Sequence, residues 1–222
     1  MVGYVSTDSL KMLKTKQNFV SDSSTIVLSS AYLAPIEYYA MMHKHSNVII
    51  EQNEYYEKQS YRNRCRILTA NGVMDLCIPV INSGKSIMRD IGISEHDDWQ
   101  LKHWRAIETA YNSSPFFEYY QDDLKPFYSK KWKYLLDFNQ EIQNTILNLL
   151  DLKMDIKLSE EYVKKNDELM DCRNVIHPKK KTEWTSKRYY QVFEQKFGFT
   201  PQLSIIDLLF NMGPESEIII GY

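Results

Sequence analysis

The dipeptide Asn71-Gly72, set between two runs of alternating side chains, is the feature that most restricts how this chain can fold. Asn-Gly is favoured at the centre of two-residue hairpin turns because both residues tolerate positive φ. The flanks, SYRNRCRILTA and VMDLCIPV, predict an antiparallel strand pair. With Asn71 and Gly72 as the turn, Ala70 pairs with Val73, Thr69 lies opposite Met74, Ile67 opposite Leu76 and Cys65 opposite Ile78. The other face brings Leu68 to Asp75, Arg66 to Cys77 and Arg64 to Pro79. Cys65 and Cys77 then point to opposite faces, which excludes a disulfide between them. Arg62, Arg64 and Arg66 share one face at intervals of roughly 7 Å, twice the strand rise.

Upstream, TIVLSSAYL (25–33) is a short β-branched apolar run and reads as a buried strand. Pro35 suits the first turn of a helix over PIEYYAMMHKH, and NVIIEQNEY (47–55) returns as a second strand, a right-handed βαβ start. Downstream, MRDIGIS is a candidate strand. DDWQLKHWRAIETAYNS is a helix capped by Asp97 or Asp98, with Trp104, Ile107 and Tyr111 inward. LLDFNQEIQNTILNLLDL puts Phe138, Ile142, Ile146 and Leu149 on one helical face. Residues 160–187 read as a long exposed loop, and YYQVFEQKFGF fits strand or helix. LSIIDLLFNMG is a short helix stopped by Gly213 and Pro214. The expected fold is α/β (or α+β): a mixed sheet with an N-terminal βαβ-like unit and an Asn-Gly hairpin, covered by a mostly helical C-terminal half. The polar, aperiodic residues 1–24 read as a loosely ordered arm before a single domain over 25–222.

Composition narrows the function classes. A net charge of -2 and a pI near 6.2, without long basic runs, argue against general nucleic-acid binding. Seven glycines, with neither GxGxxG nor GxxxxGK, argue against a Gly-rich phosphate loop. Cys65, Cys77 and Cys172 show no metal-ligand spacing, so no metal site is expected; any cofactor is left open by the sequence. No apolar run reaches the roughly 20 residues that span a bilayer, and the first 24 residues lack a signal-peptide core; the expected location is cytoplasmic.

The blocks AYLAPIEYYA, IEQNEYYEKQSYRNRCRI, NG…IPV, RDIGIS…W…HW, AYNSSPFFEYY and LSIIDLLFNMGPE, in that order, make the chain resemble the WbqC-like proteins. These are bacterial proteins encoded mainly among genes for surface-polysaccharide (O-antigen) assembly, and SYRNRC resembles a branch common in Bacteroidetes. The resemblance implies a pathway more than a reaction. Many members open the first strand with His-Gln-Pro before an x-Tyr-Leu-Pro segment, where this chain has Leu28-Ser29-Ser30-Ala31-Tyr32-Leu33-Ala34.

The candidate anion or substrate site is the arginine row, Arg62, Arg64 and Arg66, with Asn63 and Tyr61 beside it. Guanidinium forks suit phosphate or carboxylate, while Asp75 offers Arg66 an ordinary ion pair. His103, on the flank of its helix's apolar stripe, and Glu51, at a strand end, are the candidates for proton transfer. Tyr55, Tyr56 and Tyr61 are placed to stack on a sugar or base, or simply to pack as sheet aromatics. Two functions follow. One is a transferase-type enzyme acting on a nucleotide sugar, a lipid-phosphate-linked sugar or another anionic sugar. The other is a non-catalytic partner or scaffold of a polysaccharide-pathway enzyme.

Overall fold

The computed structural model describes residues 25–81 and 84–221; the arm expected over 1–24 lies outside the described residues. Strand β1 (Thr25–Ser29), helix α1 (Ile36–His43) and strand β2 (Asn47–Glu51) form the expected βαβ unit. Two more strands, β7 (Asp155–Leu158) and β8 (Leu169–Asp171), complete an all-parallel sheet in the order β7-β2-β1-β8. The α/β class holds, but parallel and antiparallel pairs are segregated rather than mixed. The antiparallel pairs are the hairpin β3 (Arg64–Thr69) with β4 (Gly72–Cys77), and the short pair β5 (Val80–Ile81) with β6 (Gly92–Ile93).

Register follows the apolar pattern. Ile26 pairs with Val48 and Leu28 with Ile50, and these four side chains enter the hydrophobic core. By strand alternation, Val27, Ser29, Ile49 and Glu51 point to the opposite face. The helices α2 (Trp99–Tyr111), α3 (Phe117–Leu124), α4 (Leu135–Leu149) and α6 (Ile205–Met212) supply most of the remaining core. Phe138, Ile142 and Ile146 of α4 are buried as its spacing predicts, and Leu149 is half-buried. YYQVFEQKFGF resolves as irregular chain around the single-turn helix α5 (Glu194–Phe197).

Two expectations are corrected. The hairpin register is Thr69 with Gly72, Ile67 with Met74 and Cys65 with Leu76, two residues away from the expected one. Gly72 takes φ +104 while Asn71 is not among the positive-φ residues, so the type I′ turn, which needs both, is not formed. Thr69 Oγ1 instead accepts the Asn71 N–H at 3.2 Å and donates to Gly72 O at 2.8 Å, moving the turn one residue toward the N-terminus. A slip of two preserves the faces, so Cys65 and Cys77 still diverge and both are free. At α2, Asp98 occupies the cap position with φ 43 and makes no side-chain capping bond.

The end of α6 follows from Gly213, at φ 53. A Cβ there would lie 2.5 Å from Phe116 Cδ1, so a side chain meets both backbone strain and a ring. Gly213→Ala is expected to destabilise the fold by about 2–4 kcal/mol in denaturant unfolding. An unchanged midpoint would refute this account of the α6 stop. The final short helix, α7 (Ser216–Ile220), packs back with Ile219 and Ile220 buried.

Candidate functional site

In open parallel sheets the crevice beyond the carboxyl ends of the strands is the usual ligand site. Here those ends hold Ser29, Glu51, Ser159 and the Asp171–Arg173 segment, and the loop 52–62 arches over them. The result has two layers: a sealed polar network beneath and an open cleft above.

The network is built from opposite charges that satisfy one another. Glu51 is fully buried. Its Oε1 accepts from Asn53 N–H (2.7 Å) and Ser159 Oγ (2.6 Å), and its Oε2 from Val163 N–H (2.7 Å) and Arg173 Nη1 (3.4 Å). Arg173 closes a fork on Asp171, Nε to Oδ1 at 2.9 Å and Nη2 to Oδ2 at 2.6 Å, which holds the Asp171 carboxyl below its ordinary range. Ser29 Oγ donates to the Arg173 carbonyl (3.0 Å) and accepts from Arg62 Nη2 (2.8 Å). Arg62 in turn grips Glu54, Nε to Oε1 at 2.9 Å and Nη2 to Oε2 at 2.7 Å. Asn139 of α4 anchors the layer from below, donating to Ser30 Oγ (3.0 Å) and Arg62 O (2.8 Å).

Above this layer lies a cleft of about 600 Å³ lined by Asn53, Glu54, Tyr55, Glu57, Arg62, Ile87, Tyr162 and Asn174. Tyr55 and Tyr162 are 65% and 54% exposed. The Tyr162 ring also lies over the Arg173 guanidinium, 4.9 Å from its centroid, so it joins the two layers. Arg89 Nη1 donates to Asn53 Oδ1 (2.9 Å) and Lys180 Nζ to Asn174 O (2.6 Å). These two cations adjoin the lining residues Asn53 and Asn174 through neutral oxygens, whereas the cation of the lining itself, Arg62, is held in the Glu54 fork.

A family model described as the WbqC-like protein family matches residues 30–182. The chain belongs to that family. It is also 26% identical, over 224 aligned residues, to the uncharacterized protein Rv1507c of Mycobacterium tuberculosis; the alignment covers 88% of this chain and 96% of that one. No solved structure matches the chain. The WbqC-like match contains every residue that lines the cleft. At the His-Gln-Pro position of the family resemblance, Ser29 and Ser30 use their hydroxyls to tie Arg62, Arg173 and Asn139 to the end of β1.

The arginine row is divided by the WbqC-like fold. Arg62 precedes β3 and is buried, whereas Arg64 and Arg66 lie on the outer face of the hairpin and share Asp75. Arg64 Nη1 reaches Asp75 Oδ2 at 3.4 Å; Arg66 donates through Nε to Asp75 Oδ1 (3.2 Å) and through Nη2 to Pro178 O (3.0 Å). Asn63 is buried and closes the hairpin base, donating to Ile78 O at 2.7 Å. Tyr61 is buried and lines a small cavity that Arg62 and Arg173 also line, with burial raising its hydroxyl's pKa against the opposing charge of Arg66. Glu51 and Arg62 are thus brought into one network; Arg64 and Arg66 are not.

His103 is elsewhere. Its ring is buried against Tyr32 and Trp99, and Nδ1 lies 3.0 Å from the Tyr32 hydroxyl, which contacts the Tyr128 hydroxyl at 2.8 Å. Burial pushes the imidazole down to about 4, against a smaller opposing contact with the Cys77 backbone, so it is neutral near pH 7. A neutral ring packed in the aromatic core and absent from the cleft lining has no path to a substrate there. Cys172 is also buried, and its thiol is pushed up to about 11 by burial, which leaves it unreactive near neutrality.

Sequence reasoning missed Glu57, Tyr162, Arg173 and Asn174, three of them inside the stretch read as an exposed loop. The one local signal was Asp171-Cys172-Arg173, where opposite charges two residues apart sit at and just beyond the end of β8. Among the described residues no group of three or more His, Cys, Asp or Glu is arranged to hold a metal ion. Nor is any described helix long and apolar enough to cross a membrane.

Proposed function

We propose that this WbqC-like protein is a transferase-type enzyme that binds a nucleotide-linked or otherwise anionic sugar in the cleft, within surface-polysaccharide assembly. The observation that carries the reading is the pairing of two exposed tyrosine rings with amide, carboxylate and guanidinium groups in a cleft of about 600 Å³. That volume suits a small-molecule ligand. Tyrosine faces stack on the apolar side of a sugar ring, and Asn174 and Glu57 offer the acceptors and donors that hydroxyl groups require. Arg89 and Lys180, bonded to Asn53 and Asn174 of the lining, bring positive charge for phosphate or carboxylate beside the cleft, and among the described residues neither is in an ion pair. The pathway rests on the family.

The sealed positions of His103 and Glu51 favour a second reading, in which the same cleft binds a sugar without reacting it. Thermal unfolding against a panel of nucleotide sugars, acidic sugars and plain phosphates tests the shared part. A sugar-containing anion is expected to raise the midpoint, with Tyr162→Ala weakening its binding about 10-fold. Stabilisation by no member of the panel, or an equal response from the variant, would remove the cleft as the site.

A further inference from the structure

We infer that Glu57 is the catalytic proton acceptor of this cleft and that His177 is its positioning residue, for a transfer from a nucleoside diphosphate sugar to a hydroxyl acceptor. The inference rests on the sugar-binding reading of the cleft and assigns its chemistry.

Accessibility selects Glu57 among the nearby carboxylates. Both oxygens of Glu51 are occupied, and both oxygens of Glu54 lie in the Arg62 fork. Glu57 lines the cleft with its side chain 48% exposed, and Arg62 Nη1 approaches only Oε2, at 3.4 Å. Its Oε1 faces His177 Nε2 at 3.7 Å.

The His177 side chain is only 9% exposed, and Nε2 has no hydrogen-bond partner among the described residues. Such an atom is unusual in a folded protein and calls for a physical account. Nδ1 accepts the Lys179 N–H at 3.2 Å, so the ring proton of the neutral imidazole resides on Nε2 and points at Glu57. Catalytic hydrogen bonds are commonly long in the free protein and tighten when substrate binds. The loop that carries His177 is pinned at Arg66 to Pro178 O, at Lys179 to Gln59 Oε1 and at Lys180 to Asn174 O, so the ring is held at the cleft edge.

Burial, with Lys180, Arg62 and Lys179, lowers the His177 pKa, while Glu57 opposes them. The ring therefore stays neutral near pH 7 and acts as a donor toward Glu57 Oε1. In the transfer, the acceptor hydroxyl gives its proton to Glu57 Oε1 as its oxygen bonds to the anomeric carbon. The bond from that carbon to the phosphate oxygen breaks, its electron pair leaving with the nucleoside diphosphate. Glu57 then returns the proton to water, to which it is open.

The test uses the full chain with UDP-glucose and dTDP-glucose as probes, following nucleoside diphosphate release with water as acceptor. At saturating probe, Glu57→Gln is expected to release product about 100-fold more slowly than the wild type. Imidazole NMR is expected to show the Nε2–H tautomer of His177 and a titration midpoint that falls further in Glu57→Gln. Wild-type release no faster than that of Glu57→Gln, with the probe bound, overturns the assignment and leaves the cleft reading standing. An unmoved His177 midpoint in Glu57→Gln overturns the pairing whether or not a probe binds. Failure of both probes and the whole sugar panel to bind overturns the cleft reading, and the assignment with it.

Discussion

Arg62→Ala is expected to lower the stability of the protein by about 3–5 kcal/mol, because it strands Glu54 as a buried charge without its partner. Both side chains are almost fully buried, and the guanidinium fork meets the carboxylate through Nε and Nη2 together. The same Nη2 holds Ser29 Oγ, so the loss spreads to the end of β1. Arg62→Lys keeps the charge but not the fork, and is expected to lose a substantial part of the same stability. The control is the double variant Arg62→Leu with Glu54→Leu: replacing a buried ion pair by apolar side chains is often close to neutral, so it should recover most of the loss. Urea unfolding of the single and double variants measures the coupling. A loss below about 1 kcal/mol in Arg62→Ala would mean that Glu54 finds water or another partner, and that the network is not closed as described.

This has a consequence for reading function from arginines. Two of the three nitrogens of Arg62 are committed to Glu54 and Ser29, so it shapes the cleft more than it supplies free positive charge. A binding defect in Arg62→Ala would therefore be confounded by unfolding. Tyr162, exposed and outside the ion pairs, is the cleaner probe of the cleft.

Legibility from sequence follows the range of the interactions concerned. β1 and β2 were readable because both are apolar runs whose registered partners enter one core. β7 and β8, at four and three residues, are too short to display a period, so half of the parallel sheet was invisible. The hairpin shows both sides of this. Its faces were correct because alternation by two survives a slip of two, while its register depended on one threonine hydroxyl capturing Asn71 N–H and moving the turn. At the site, Glu51 and Arg62 stand out because one ends and the other precedes a recognisable strand, but the saturation of Glu51 by Ser159, Val163 and Arg173 comes from segments more than a hundred residues away. His103 illustrates the same limit. The helical stripe placed it on a flank, and only Tyr32 and Trp99 closing over it turn that flank into core.

Asp207 gives the second large effect, and its sign is set by burial. The carboxylate, in the first turn of α6, is fully buried and accepts from Tyr111 Oη (3.0 Å to Oδ1), Tyr189 Oη (2.6 Å to Oδ2) and Gln191 Nε2 (3.3 Å). Burial pushes its pKa up to about 6, against the smaller opposing pull of Tyr189, Tyr111 and Gln191. Between the unfolded value near 4 and the folded value, the native state binds more protons than the unfolded chain. Stability from this group is therefore complete below about pH 4 and is lost as pH rises through about 6. The window corresponds to on the order of 3 kcal/mol. Asp207→Asn removes the titration while keeping an acceptor, so the wild type minus the variant is expected to fall by that amount between pH 4 and 7. Asp207→Ala strands both tyrosine hydroxyls and is expected to cost stability at every pH, about 1–3 kcal/mol for each unpaired group. The measurement is urea unfolding of the three proteins across that range. Parallel pH profiles for wild type and Asp207→Asn would show that the Asp207 proton is not linked to folding. A difference that rose with pH would mean that the tyrosines stabilise the ionised form by more than burial penalises it.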